Sequence, residues 1–170
     1  GELNQANRVL NSETEYCACG SLAKDCLFWN KVFAKWQQLV GGDVALAEWK
    51  VLQNKFERFR NLGFLFSQKF IRTPSFAVYS SGIKALYQAI SQVSGKRVIV
   101  DSSKSPVRAL ALSQIEDLDL RLIHLIRDGR GVVWSLLTPY KADPSQGIQT
   151  EISPTPAWKT ALSWNLTNQF

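Results

Sequence analysis

Two short aliphatic runs place the strongest constraint on the fold: Arg97-Val98-Ile99-Val100-Asp101 and Leu120-Arg121-Leu122-Ile123-His124-Leu125-Ile126. Unbroken apolar runs of this length that end in polar residues have the pattern of buried parallel strands. Between them, Leu110, Leu112 and Ile115 recur at helical spacing, so the order is strand, helix, strand, the signature of a parallel crossover. Val132, Val133, Leu136 and Leu137 then predict a helix that begins at the Gly129 turn and ends before Pro139. Residues 96–140 are therefore expected to form a strand-helix-strand-helix core of α/β class.

Residues 1–95 carry a different pattern. Leu27, Phe28, Val32, Phe33, Trp36 and Leu39 predict a helix over Asp25–Leu39 that Gly41-Gly42 ends. A second helix is predicted from Asp43, its N-cap, to about Leu62, with Gly63 as the stop. Phe76, Tyr79, Ile83, Leu86, Tyr87 and Ile90 mark a third, between Thr73-Pro74 and Ser94-Gly95. Residues 141–156, with Pro144, Gly147, Pro154 and Pro156, read as a surface loop, and residues 157–170 as a last helix anchored by Trp158, Leu162 and Trp164.

The 170 residues carry 20 Lys+Arg against 14 Asp+Glu, a formal charge of +6, which suits a polyanionic partner such as a phosphate-rich cofactor, nucleic acid or an acidic surface. Apolar runs such as 61–66 fall far below the roughly 20 residues that span a bilayer, and the polar N-terminus is unlike a signal peptide. A soluble, cytoplasmic chain is expected. Methionine is absent, the chain opens on Gly1, and the last residues are still helix-like, so both ends are read as cut. Cys17, Cys19 and Cys26 fall in one short stretch. Three thiolates suit zinc only with a fourth ligand, and the single histidine, His124, lies far along the chain. No metal is expected; local packing or a redox-labile pair accounts for these cysteines.

Both predicted strands end in charged loops, 101–104 and 127–130, and ligands of open α/β sheets bind beyond such strand ends. A helix starting at Gly129 would aim free N–H groups and a positive dipole end at that crevice. Arg127 could fork onto phosphate oxygens and Ser135 add a hydroxyl donor. The competing reading is a surface pairing of Arg127 and Arg130 with Asp128 or Asp101.

The segment Leu125-Ile126-Arg127-Asp128-Gly129-Arg130-Gly131-Val132-Val133-Trp134-Ser135 resembles the 3′-phosphate-binding motif of sulfotransferases that use 3′-phosphoadenosine 5′-phosphosulfate (PAPS). The resemblance implies that Arg127 and Ser135 hold the 3′-phosphate, with Arg130 as a helper. Asp-Gly-Arg is most similar to the tyrosylprotein sulfotransferase branch and to bacterial relatives. Asp101-Ser102-Ser103-Lys104-Ser105-Pro106 resembles the family's lysine-containing loop, which would place Lys104 at the transferring sulfuryl group. Gly1-Glu2-Leu3, with Cys-Ala-Cys-Gly and Cys-Leu-Phe-Trp, looks like the start of the helical insert of bacterial members, and Glu2 matches the general base. The implied fold is an incomplete P-loop-NTPase-like parallel sheet flanked by helices, with residues 1–95 as an N-terminal helical insert. The implied activity is transfer of the sulfuryl group to a hydroxyl-bearing small molecule, glycan or peptide, with PAPS as cosubstrate and no metal.

Lys104 would neutralise charge growing on the leaving phosphate, while Glu2 would accept the acceptor's proton. A Lys/Arg-Ser-Gly-Thr-Thr-like cradle for the 5′-phosphosulfate does not occur in these residues, nor does a Walker A motif. Two alternatives follow: a non-catalytic module binding nucleic acid or another polyanion, or an inactive fragment. Phe28, Trp36, Trp49 and Phe56 sit at core spacing rather than between basic residues, which argues against nucleic acid.

Overall fold

The computed structural model describes residues 16–41, 46–103, 105–139 and 153–168. Their order is α1 (Leu27–Leu39), α2 (Leu46–Phe56), α3 (Leu62–Ser67), α4 (Pro74–Ser94), α5 (Pro106–Ser113), α6 (Gly129–Leu137) and α7 (Ala157–Asn168), with short 3-10 turns at Ala23–Asp25 and Phe59–Asn61. The chain divides into two compact units, Gly1–Leu120 and Arg121–Phe170. No helix among the described residues is long and apolar enough to cross a membrane.

The first unit is built on α4. Pro74 occupies the first turn, the Thr73 hydroxyl accepts the Phe76 N–H, and Gly95 closes the helix at φ 68°, a conformation glycine adopts without a Cβ penalty. Phe76, Tyr79, Ile83, Leu86 and Ile90 line one face of α4 and are buried. Trp36 of α1 and Trp49 and Phe56 of α2 close over that face. Trp49 stacks on Tyr79 at 5.8 Å, Trp36 meets Trp49 edge-on at 5.4 Å, and Phe56 meets Phe76 edge-on at 5.1 Å. The buried Trp36 indole N–H is satisfied by the Gly82 carbonyl at 2.9 Å. Val107, Ala111 and Leu112 of α5 belong to the same core.

The expected parallel sheet is not present. Among the described residues there is no strand, only an isolated antiparallel bridge between Tyr16 and Leu22. Both runs read as strands lack regular structure, and most of their aliphatic side chains face solvent, with Val98 80% exposed, Val100 87% and Leu125 87%, while Ile99 and Leu120 pack partly against the core. A strand needs a neighbour about 4.8 Å away to take its backbone hydrogen bonds, and β-branched composition alone does not supply one. The α/β, P-loop-like assignment is therefore corrected to an all-helical architecture over the described residues.

The second predicted helix is also revised. It stops at Phe56 rather than near Leu62, and Gly63 lies inside α3 instead of ending a helix. The Asn61 amide reaches back to the Asn54 and Lys55 carbonyls at 3.3 and 2.8 Å, taking the acceptors that a longer helix would have used. The first helix begins at Leu27 rather than Asp25, with Cys26 at its N-cap. The expected N-cap Asp43 lies outside the described residues.

Candidate functional site

In the second unit, α6 and α7 pack on each other, and the residues singled out for phosphate binding lie at the start of α6. Asp128 is the N-cap: its carboxylate accepts the Arg130 N–H at 3.1 Å and its carbonyl accepts the Val132 N–H at 3.1 Å. The first-turn N–H groups of Gly129 and Gly131 lack intrahelical acceptors by their position. The Arg127 carbonyl is held by the Trp164 indole N–H at 3.0 Å. Its side chain folds back across the first turn, so that a Cβ on residue 131 would lie 3.5 Å from Nε and 3.7 Å from Nη2. Among the described residues no hydrogen bond or ion pair holds the Arg127 guanidinium. Ser135, half-buried, is one turn beyond Gly131 on the same face of α6.

Arg130 is placed differently. Its guanidinium pairs with Asp128 at 3.2 Å and is almost fully exposed, so the surface pairing weighed for it is the one observed. That hydrogen bond, with the Arg130 N–H, holds the Asp128 carboxyl below its ordinary range. Beside it, Val133, Trp134, Leu137, Ala161 and Trp164 line an open apolar groove of about 350 Å³. Trp164 packs against the helix start, where a Cβ on Gly129 would meet the indole at 3.2 Å. His124 is not in a strand; its Nε2 lies 3.2 Å from Asn168 Oδ1.

No family model, curated protein or solved structure matches the chain. The site must therefore be read from its own residues.

Lys104 and Glu2 lie outside the described residues. The segments flanking Lys104 are fixed: Ser103 N–H and Oγ both bond Asp101 Oδ1, at 3.1 and 2.6 Å, and the Ser105 hydroxyl caps α5 by accepting the Arg108 N–H at 3.3 Å.

Asp101 belongs to a buried charge network that sequence reasoning missed. Arg108, 1% exposed, donates from Nε and Nη2 to Asp101 Oδ2 at 3.1 and 3.0 Å and from Nη1 to Glu57 Oε1. The Tyr79 hydroxyl donates to the same Glu57 oxygen at 2.8 Å, and the Tyr87 hydroxyl to Asp101 Oδ2 at 3.0 Å. Burial pushes Tyr87 up to about 12 and Tyr79 well above its ordinary value, so both remain donors. Burial also raises Glu57 despite its Arg108 partner, whereas at Asp101 Arg108 and the hydroxyl donors outweigh burial and lower it. With its carboxylates bonded in this way, the network anchors α2, α4 and the 101–105 loop to α5. An arginine flanked by Val107 and Ala109 on an amphipathic helix was the available signal.

The two carboxylates titrate with opposite consequences. Asp101, lowered, stabilises the fold above pH 3.8, its ordinary value, and loses that contribution as pH falls further. Glu57, raised, favours the fold when protonated and withdraws that contribution as pH climbs above 4.5. Urea unfolding across pH should therefore show Asp101→Asn removing part of the wild-type loss below 3.8, and Glu57→Gln removing a loss above 4.5. Parallel profiles for wild type and both variants would refute this assignment.

In the first unit, Cys17, Cys19 and Cys26 converge, their sulfurs all within 4.8 Å of one another. Hydrogen bonds from Ser21 bring the exposed Cys19 thiol down to about 6, while partial burial raises Cys17.

Proposed function

We propose that this chain contributes a 3′-phosphate-binding site to a PAPS-dependent sulfotransferase, with Arg127 and Ser135 as the phosphate ligands. The observation that carries the proposal is the Arg127 guanidinium: it lies across the first turn of α6, beside Gly131, with the Asp128 carboxylate as an electrostatic neighbour but held by no hydrogen bond or ion pair among the described residues. A bound phosphate would gain the forked guanidinium, the open N–H groups and the positive end of the helix dipole together. The aromatic groove next to this turn suits a flat base, so phosphate and nucleoside could both be accommodated. Asp128 opposes an anion there, and its pairing with Arg130 offsets that opposition.

PAPS supplies an activated sulfuryl group: the acceptor oxygen forms a bond to sulfur as the bond from sulfur to the 5′-phosphate oxygen breaks. By the resemblance, Glu2 takes the acceptor's proton and Lys104 neutralises the phosphate that leaves. The acceptor is a hydroxyl-bearing small molecule, glycan or peptide.

Calorimetry with adenosine 3′,5′-bisphosphate tests the proposal. Arg127→Ala should weaken binding by roughly 10- to 100-fold and Ser135→Ala by roughly 2- to 10-fold, the ranges for charged and neutral hydrogen bonds. A folded chain that does not bind the bisphosphate would remove the reading. Binding of single-stranded nucleic acid with a steep salt dependence, unaffected by Arg127→Ala, would establish the polyanion-binding alternative instead.

A further inference from the structure

The three cysteines of the first unit sit on a backbone that holds their sulfurs together. Gly20, at φ 87°, closes a tight turn in which the Gly20 N–H bonds the Cys17 carbonyl and the Cys17 N–H bonds the Ser21 carbonyl, each at 2.9 Å. The Tyr16–Leu22 bridge seals the base of this turn. The 3-10 turn Ala23–Asp25 then carries the chain to Cys26, the N-cap of α1. An N-cap side chain ordinarily accepts a first-turn N–H, but the Cys26 thiol does not; it lies 3.6 Å from Cys19 Sγ.

We propose that Cys17, Cys19 and Cys26 bind a thiophilic d10 cation, zinc, through three thiolates with the fourth position open to water or another exogenous ligand. Zinc–sulfur bonds of about 2.3 Å at tetrahedral angles place neighbouring sulfurs about 3.8 Å apart. The observed separations, 3.6 Å for Cys19–Cys26 and none above 4.8 Å, come close to this before any metal is added. The missing fourth protein ligand, which weighed against a metal from sequence alone, is the arrangement of zinc sites that keep an exchangeable position. Cys26 also stands at the N-terminus of α1, which fixes its position relative to the Gly20 turn. Binding would release the thiol protons and clamp residues 16–22 to the first turn of α1. The inference is independent of the anion site in the second unit.

Titrating the reduced full chain with cobalt(II) under anaerobic conditions tests it. One equivalent should produce thiolate-to-cobalt charge-transfer absorption and intense visible bands of tetrahedral geometry, which zinc then abolishes. Zinc at 100 times its dissociation constant should raise the melting temperature by about 5–10 °C. Cys19 is exposed, so Cys19→Ser should keep the helix content, yet weaken zinc binding by more than the roughly 100-fold that loss of an outer-shell partner can cost. Cys17→Ser should behave alike. Absence of the cobalt bands, bands that persist in Cys19→Ser, or thiols that react with a disulfide reagent equally fast with and without zinc would each overturn the proposal. So would isolation of a Cys19–Cys26 disulfide from a reduced sample exposed to peroxide if zinc gave that sample no protection.

Discussion

Arg108→Ala is expected to lower the unfolding free energy by about 3–5 kcal/mol, the cost of removing one partner from a buried ion pair. The effect belongs at the upper end of single substitutions because Arg108 serves two carboxylates, with Glu57 and Asp101 side chains 7% and 13% exposed. Without the guanidinium, both charges stay in a site from which water is largely excluded, with only neutral donors left to satisfy them: the Tyr79 hydroxyl at Glu57, and the Tyr87 hydroxyl and Ser103 at Asp101. Arg108→Lys should restore little, since one ammonium cannot reproduce a fork that reaches Asp101 through two nitrogens and Glu57 through a third. Adding Glu57→Gln and Asp101→Asn to Arg108→Met should recover much of the loss, because the uncompensated charges leave together. Urea denaturation of the single and triple variants measures this. A loss below about 1 kcal/mol for Arg108→Ala would place the pair among surface-type bridges and refute the assignment.

Gly82→Ala is the second large expected effect, and its sign opposes helix propensity. In the middle of an exposed helix this change would gain up to about 1 kcal/mol. Here the added Cβ would sit 2.1 Å from Trp49 Cζ3 and 2.8 Å from Cη2. Trp49 cannot swing aside cheaply, because it stacks on Tyr79 and meets Trp36, whose indole N–H is bonded to the Gly82 carbonyl. Overpacking of this kind costs about 1–3 kcal/mol and sometimes more, so a net loss of about 2–3 kcal/mol is expected. A smaller residue at the facing position should relieve it, giving strong coupling between Gly82→Ala and Trp49→Leu in a double-mutant cycle. A Gly82→Ala chain more stable than wild type would show that α2 and α4 are not in contact at this point.

What the sequence disclosed followed the range of the forces involved. The helix from Thr73-Pro74 to Gly95 was legible because cap, proline, apolar stripe and C-terminal glycine are all local signals. The helices at Leu27–Leu39 and Pro106–Ser113 were legible from apolar spacing alone, the second through Leu110 and Leu112, with Ile115 falling just beyond its end. The two aliphatic runs misled because strand formation depends on a partner elsewhere, which a run such as 97–101 does not encode. The early end of α2 was equally hidden: Glu57 turns to Arg108, 51 positions away, and Asn61 closes the helix from outside it. At the start of α6, glycine and arginine pointed to an anion site, while the N-cap role of Asp128 and its hold on Arg130 emerged only with the backbone geometry. The convergence of three thiols was visible as spacing but not as distance, since a Gly20 turn and a 3-10 turn together bring Cys19 and Cys26 within contact.

The distribution of tryptophan gives the protein two optical channels. Trp36 and Trp49 are sealed in the aromatic core of the first unit, at 1% and 4% exposure, where indole emission lies toward the blue. Trp134 and Trp158 of the second unit are 76% and 71% exposed and emit toward the red. One fluorescence spectrum therefore carries both signals, with its blue edge following the integrity of the α1–α4 core and its red edge following the solvent exposure of α6 and α7.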